Sequence, residues 1–164
     1  MKVAVLLFHD TAEFDLAVPY GVFSAAARRV PLPSEVFTVG KSPAATLLTA
    51  AGLRVAPNYS LGNAPEYDVL VIPGGAGAQR FAGDPVVRDL VERAARKGTY
   101  IVTIGSGAVL LGEAGLLEGA PVPAGSDRGQ ALARYRPGEV LDEPVVRPNP
   151  RTYLAASTLA SISA

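Results

Sequence analysis

The sequence predicts an α/β protein, a three-layer α/β/α sandwich built around a mostly parallel sheet. Nearly continuous apolar runs at 2–8, 67–72 and 99–104 are typical of strands that are covered on both faces. Segments with helical spacing separate these runs, and the alternation of strand and helix favours a parallel sheet. Because each run ends in a turn of glycine or polar residues, the expected architecture is flavodoxin-like.

The first part of the chain predicts a strand, a helix and a second strand. Lys2–Phe8 forms the first strand, and a helix follows from near Asp15 or Pro19 to Arg28. Pro19 suits the first turn of this helix, where its missing N–H has no helical partner to lose. The second strand is expected at 35–39. The helix residues expected to face the core are Val18, Val22, Phe23 and Ala26.

The middle of the chain predicts a small hairpin and a well-delimited helix. Residues 46–48 and 53–55 flank an Ala-Gly pair, which indicates the hairpin. Asp84 is a helix N-cap followed by proline, and the helix ends near Lys97 with Gly98 as its C-cap. The residues expected to face inward are Val86, Leu90, Val91 and Ala94.

The strand at 99–104 ends abruptly in Gly105-Ser106-Gly107 and leads into a helix that ends near Gly115. Such an elbow displays its middle residues, and the N–H groups of the helix start, at the carboxyl edge of a sheet. The later elements are expected to be short. They are strands at 122 and 140–141, a helix at 130–135, a strand at 153–156 and a helix that starts within 158–163.

Composition narrows the possible functions. The 164 residues have a net charge of zero and 49% hydrophobic side chains, which predicts one domain over 1–164 and no direct nucleic-acid partner. No apolar run reaches the ~18 residues of a membrane span, and the N-terminus is too short for a signal peptide, so a cytoplasmic location is expected. With no cysteine and one histidine, disulfides and a cysteine nucleophile are excluded, and neither a metal site nor a cofactor is expected.

Three turns are expected to converge at the carboxyl edge of the sheet: the loop around Asp15, the Pro73-Gly74-Gly75 turn, and the elbow. Gly74 and Gly75 allow backbone N–H groups to approach a ligand, and with the N–H groups after Gly105 they could form an oxyanion hole. The alternative is that these glycines serve only the geometry of a turn.

Two side chains at these turns are candidate catalytic groups. Asp15 could act as a general base, or it could simply cap a helix. Ser106 could be a nucleophile, but Ile104 breaks the Gly-x-Ser-x-Gly form and the only histidine, His9, lies on another loop. The structural alternatives are a serine that caps or packs at a helix start and a surface histidine.

Four segments occur in an order that one known superfamily shares. They are 14–23 (Phe-Asp-Leu-Ala-Val-Pro-Tyr-Gly-Val-Phe), 67–75 (Tyr-Asp-Val-Leu-Val-Ile-Pro-Gly-Gly), 104–108 (Ile-Gly-Ser-Gly-Ala) and 114–119 (Ala-Gly-Leu-Leu-Glu-Gly). Together they resemble the ThiJ/PfpI superfamily, whose fold is that of class I glutamine amidotransferases. The similarity is greatest to the branch that contains isonitrile hydratases and the amino-terminal domains of AraC-type regulators.

The sequence departs from that pattern where the chemistry is expected. At the elbow the superfamily pattern looks like Cys-Thr-Gly-Ala, so Gly105 stands at the position of the nucleophile and Ser106 at that of the threonine. Gly125 stands where relatives often place a histidine, and Gly21 where many place an acidic residue. Relatives continue beyond the segment matching 158–163, which leaves open a chain shortened at its C-terminus.

The resemblance therefore implies a member without the nucleophilic cysteine, a non-catalytic domain that binds a small molecule or regulates. Its ligand-binding residues would be Gly74, Gly75, Gly105 and Gly107. The alternative is an enzyme, isonitrile hydratase-like or amidase-like, in which Asp15 activates water and Ser106 orients it. A third possibility is a regulatory domain detached from a DNA-binding partner. The resemblance also implies a homodimer.

Overall fold

The computed structural model describes residues 1–29, 34–124 and 128–156, without the side chains of 128–130. Its strands are β1 (Lys2–Leu6), β2 (Glu35–Gly40), β3 (Leu47–Leu48), β4 (Arg54–Val55), β5 (Tyr59–Ser60), β6 (Val69–Ile72), β7 (Tyr100–Ile104), β8 (Val122–Pro123), β9 (Val140–Leu141), β10 (Val145–Asn149) and β11 (Thr152–Ala155). Its helices are α1 (Glu13–Ala27), α2 (Ala78–Ala82), α3 (Pro85–Lys97), α4 (Ala108–Glu113) and α5 (Arg128–Ala133), with a 3-10 turn at Gly105–Gly107. The helix predicted within 158–163 and the position Gly125 lie outside the described residues.

Seven strands form the central sheet, in the order β10-β11-β7-β6-β1-β2-β5. Every neighbouring pair is parallel except β10 with β11. β1 lies in the interior of the sheet, where Val3 pairs with Val36 of β2 on one side and with Val69 of β6 on the other. The predicted fold class, a mostly parallel sheet between layers of helices, is confirmed. The predicted hairpin is also present, as the antiparallel pair β3–β4.

The core has two halves because successive side chains of a strand point to opposite faces of the sheet. One half contains Leu6, Leu70 and Ile101 and is covered by α2, α3 and α4. The other half contains Val3, Val5 and Val71, among others, and is covered by α1 and the β3–β4 hairpin. Both faces of β1 and β6 are therefore buried, which explains why their sequences are apolar without alternation.

Helix α3 has the bounds that the sequence predicts. The Asp84 side chain accepts a hydrogen bond from the N–H of Val86 at 2.9 Å, and Gly98 adopts a left-handed φ of 72°. The Lys41 ammonium, together with that N–H, lowers the pKa of Asp84. One inward residue differs from the prediction, because Val87 is buried whereas Val86 is 56% exposed.

Helix α1 differs most from its prediction. It begins at Glu13, so Pro19 lies inside the helix rather than in its first turn. Two predicted core residues, Val18 and Val22, are 45% and 61% exposed, and Ala26 is exposed as well. Leu16 and Pro19 face the sheet instead, with Phe23 partly buried as predicted. The prediction of the core-facing residues from their spacing was wrong because residues 16–27 contain no charge. Without a polar face, the sequence does not indicate which side of the helix faces solvent.

Two elements have weak sequence signals. Helix α2 is only five residues long, too short for a helical period to be visible. Strand β10 contains Pro148, which argues against a strand, yet the structure places it at the sheet edge, where a missing N–H is tolerated. In the described part of the chain, no helix is both long and apolar enough to traverse a bilayer.

Candidate functional site

The candidate site lies where the strand order of the sheet reverses. From β1 the chain continues to β2 on one side, and later strands β6, β7 and β11 are added on the other. Open α/β sheets bind ligands at the carboxyl ends of the strands beside such a point. Here the loop after β1 meets the turn after β6, and the N–H of Ala12 donates to the carbonyl of Gly74 at 2.9 Å.

The loop after β1 is fixed by a residue that sequence reasoning missed. Thr11 is fully buried, and its hydroxyl donates to the Phe8 carbonyl at 2.7 Å while accepting from the Phe8 N–H at 3.2 Å. This closes the loop and positions the start of α1. A lone threonine in a polar stretch has no pattern that would have indicated this role.

Asp15 is 2% exposed, in the first turn of α1. Its Oδ2 accepts a hydrogen bond from the N–H of Gly74 at 3.2 Å. The alternative that Asp15 caps the helix is wrong, because the N-cap position is Ala12 and Asp15 lies three residues further on. A Cβ added to Gly74 would lie 2.7 Å from this carboxylate oxygen, so the close approach requires glycine.

Ser106 is tied to the glycine turn. Its Oγ accepts from the N–H of Gly75 and donates to the carbonyl of Gly75, both at 3.0 Å. It therefore does not cap the helix that follows. In this arrangement the N–H of Gly74 donates to Asp15 and the N–H of Gly75 donates to Ser106, so a ligand would have to compete for these two donors. These hydrogen bonds from the glycine turn to Asp15 and Ser106 hold the three turns together.

The elbow has the backbone conformation of a sharp strand-to-helix turn. Gly105 adopts a left-handed φ of 55° at the end of β7, and the 3-10 turn then leads directly into α4. A Cβ on Gly107 would overlap the carbonyl oxygen of Ile72, so the elbow packs tightly against the end of β6. The structure thus brings Asp15, the glycine turn and the elbow into contact, while their binding and catalytic roles stay predictions.

A second acidic group, Glu13, lies at the start of α1 but is engaged elsewhere. Its pKa is lowered, first because the hydroxyl of Thr49 donates to the carboxylate and second because the N–H of Ala51 does so. These bonds attach the turn of the β3–β4 hairpin to the first turn of α1. The role of the Glu13 carboxylate is therefore structural, because its hydrogen bonds connect the hairpin to the helix that contains Asp15.

His9 is not brought to Ser106 by these contacts. It is exposed, and its Nδ1 accepts a long hydrogen bond of 3.4 Å from the N–H of Leu48. The interpretation of His9 as a loop histidine agrees with this placement. Among the residues that the structure describes, no three His, Asp or Glu side chains are grouped so that they could hold a metal ion.

Two known proteins with related sequences are an enzyme and a transcriptional regulator. The chain is similar to an isonitrile hydratase of Pseudomonas putida, with 30% identity over 120 residues, 73% of this chain and 50% of that protein. It is also similar to an HTH-type transcriptional regulator of Mycobacterium tuberculosis, with 37% identity over 71 residues, 43% of this chain and 26% of the regulator. The chain therefore spans half the length of the hydratase and about a quarter of the regulator.

Solved structures agree with these similarities. A ThiJ/PfpI family protein from Pseudomonas syringae superposes with a TM-score of 0.82 at 26% identity, covering 99% of this chain and 64% of that one. The sequence matches the DJ-1/PfpI family over residues 1–157. This match extends over nearly the whole chain and includes all three turns of the candidate site. The chain belongs to the DJ-1/PfpI family.

Proposed function

We propose that this chain is a DJ-1/PfpI domain that binds a small molecule at the candidate site without catalysing a reaction. The observation on which the proposal rests is the elbow, where Gly105 stands at the position that the resemblance assigns to the nucleophilic cysteine. The chain has no cysteine at any other position that could replace it. A reaction that depends on a thiolate attack therefore has no nucleophile from these residues.

The contacts of Ser106 and Asp15 support binding over catalysis. The Ser106 hydroxyl already donates its one proton to the carbonyl of Gly75. The Asp15 carboxyl group accepts from the Gly74 N–H, and its two oxygens have more lone pairs than this one bond uses. Asp15 can thus bind a ligand donor while keeping the glycine turn in place.

A metabolite library should therefore contain compounds that raise the melting temperature of the wild-type protein. The stabilisation grows with ligand concentration because only the folded state has the site. An Asp15→Asn variant keeps the shape of the side chain but loses its charge, and the shift should fall by more than half. The measurement is thermal denaturation with and without each compound. If no compound shifts the wild type, or if Asp15→Asn shifts equally, the proposed site is wrong.

A second candidate function is an isonitrile hydratase-like enzyme in which Asp15 activates water and Ser106 orients it. The similarity to the Pseudomonas putida isonitrile hydratase supports it. It requires the Ser106 hydroxyl to exchange its bonds with Gly75 for bonds to water.

The similarity to the transcriptional regulator likewise supports a regulatory role for a ligand-binding domain. Isonitrile hydration by the wild type, compared with Asp15→Asn, separates an enzyme from a binding domain.

We also propose that two copies of the chain pair through the exposed side of α1. Phe14, Val18 and Val22 are spaced by four residues, so they form one ridge, and they are 52%, 45% and 61% exposed. Gly21 lies beside this ridge, and nothing lies within 4 Å of a Cβ added there. A glycine inside a helix costs about 1 kcal/mol relative to alanine, and the fold of one copy gives no reason for it.

The charges at the two ends of α1 favour a second copy in antiparallel orientation. The partly exposed Glu13 is at the start of the helix, and exposed Arg28 and Arg29 directly follow its end. A two-fold axis through the middle of the ridge would place each acidic end beside the basic end of the other copy. Residues 16–27 of this helix contain no charge, so the ridge of Phe14, Val18 and Val22 can be covered without burying a charged side chain.

A Val18→Glu variant should weaken this dimer by at least about 100-fold, because each interface would bury two uncompensated carboxylates. Sedimentation equilibrium measures the change. Val86→Glu is the matched control, since Val86 is equally apolar and 56% exposed but lies on α3. A wild type that stays monomeric at high concentration, or equal weakening by both substitutions, would contradict the pairing through α1.

A further inference from the structure

A cavity of about 190 Å³ opens at the carboxyl ends of β1 and β2. Leu7 and Phe8 line it from the segment directly after β1, Ala45 and Leu47 from the β3 side, and Phe81 from α2. His9, Lys41 and Arg80 stand among its polar lining residues. We infer that this cavity is a second binding site, and that its ligand is a small aromatic monocarboxylic acid.

The apolar lining indicates the body of the ligand. The rings of Phe8 and Phe81 stack with centroids 4.9 Å apart, which gives the cavity an aromatic wall. Aromatic rings add offset or edge contacts to such a wall beyond the simple burial of area. A dry protein cavity of roughly 150 Å³ holds benzene. The space here suits one benzene-sized ring with a carboxylate.

The basic residues indicate the charged group of the ligand. Arg80 is paired with Asp10, and its side chain is 70% exposed. A guanidinium has five N–H donors, so Arg80 can hold Asp10 and still donate to a ligand carboxylate. Because His9 accepts at Nδ1 from Leu48, its neutral ring has the proton on Nε2 and offers one more donor. Lys41 is paired with Asp84 and adds a positive charge nearby.

This cavity is distinct from the candidate site. Its lining includes none of Asp15, Gly74, Gly75, Gly105 or Ser106. The loop from His9 to Thr11 stands between the two places, because Gly77 on the cavity side packs against the His9 carbonyl and Gly75 packs against Asp10 and Thr11. The inference therefore goes beyond the proposed function and can fail independently of it.

Benzoate is the probe for this site, titrated into isotopically labelled wild-type protein and followed by backbone amide chemical shifts. The shifts should saturate and should centre on Ala45, Gly77 and Arg80. Arg80→Gln should weaken binding by about tenfold or more, because a charge-assisted bond to the carboxylate is lost. Ala45→Leu should block binding by filling the cavity. Benzyl alcohol, which has the ring without the charge, should bind more weakly than benzoate.

Arg88→Gln is the matched control, since Arg88 is an exposed arginine on α3 that pairs with Glu92 and does not line the cavity. It should bind benzoate as the wild type does. Spectra without ligand show whether each variant is folded. The inference is overturned if benzoate causes no saturable shift, if Arg80→Gln binds no more weakly than Arg88→Gln, or if the shifts centre on Gly74 and Gly105.

Discussion

A Gly105→Cys variant should hydrate isonitriles at least about 100-fold faster than the wild-type chain, if the proposal of a binding domain is correct. The substitution places a thiol at the elbow, which packs against the same glycine turn as the Asp15 carboxylate. Nucleophilic catalysis divides one difficult step into two easier ones, and its loss usually removes most of an enzyme's rate. The measurement is the formation of the N-substituted formamide, with purified protein of each variant.

Three controls make this result interpretable. Gly105→Ala adds a Cβ at the same backbone position without a thiol, so it should remain inactive. Asp15→Asn in the Gly105→Cys background should lower the gained rate, because a general acid or base typically supplies ~10²–10⁴-fold. Asp15→Asn alone tests the second candidate function. If the wild type is already active and Asp15→Asn is not, the chain is an enzyme without a cysteine and the binding proposal is wrong.

The backbone at Gly105 also sets a cost for these variants. Its φ of 55° lies in the left-handed region, where a residue with a Cβ is less stable by about 1–2 kcal/mol. Both Gly105→Cys and Gly105→Ala should therefore melt a few degrees below the wild type. If Gly105→Cys and Gly105→Ala have equal melting temperatures, their difference in activity is due to the thiol and not to a difference in stability.

Gly77→Ala should lower the free energy of unfolding by more than about 4 kcal/mol. A Cβ at this position would overlap the carbonyl oxygen and carbon of His9, and both are backbone atoms that cannot rotate away. To avoid this overlap, the loop after β1 would have to move away from the turn after β6. Single substitutions that force such overlap cost more than about 4 kcal/mol, a large part of the ~5–15 kcal/mol that stabilises a typical domain.

Gly83→Ala is the control for that experiment. Gly83 has a right-handed φ of −69°, and the nearest atom to an added Cβ is the Arg80 carbonyl oxygen at 3.7 Å. Alanine there should leave stability unchanged or raise it by about 0.4–1 kcal/mol, because it restricts the unfolded chain. Urea denaturation of the three proteins measures the free energies of unfolding. Equal midpoints for Gly77→Ala and Gly83→Ala would refute the overlap.

The sequence predicted the fold well where a local chemical signal delimits an element. Asp84 and Gly98 mark the ends of α3 because a side-chain cap and a left-handed glycine are properties of one or two residues. The interior strands β1 and β6 were visible because burial on both faces favours a nearly continuous apolar sequence. Helix α1 shows the limit of this approach. Without a polar face, the spacing of Val18 and Val22 could not show which side faces the sheet.

The candidate site was predictable in its location but not in its bonding. Three turns at the carboxyl edge follow from parallel strands alone, so Asp15 could be placed beside Gly74 and the elbow. Which N–H donates to which acceptor depends on differences of a few tenths of an ångström in the distances between separate loops. For that reason the use of the Gly75 N–H by Ser106 required the three-dimensional structure.

The two outer strands of the sheet bear on whether further chains can add to its edges. An unpaired strand edge can template the addition of further chains and so lead to fibrils. On one side the last strand, β5, has only two residues, and on the other β10 combines Pro148 with an irregular register. Neither edge offers a long, regular row of N–H and carbonyl groups to another molecule. The parallel strands that would be hazardous if exposed are all kept in the interior of the sheet.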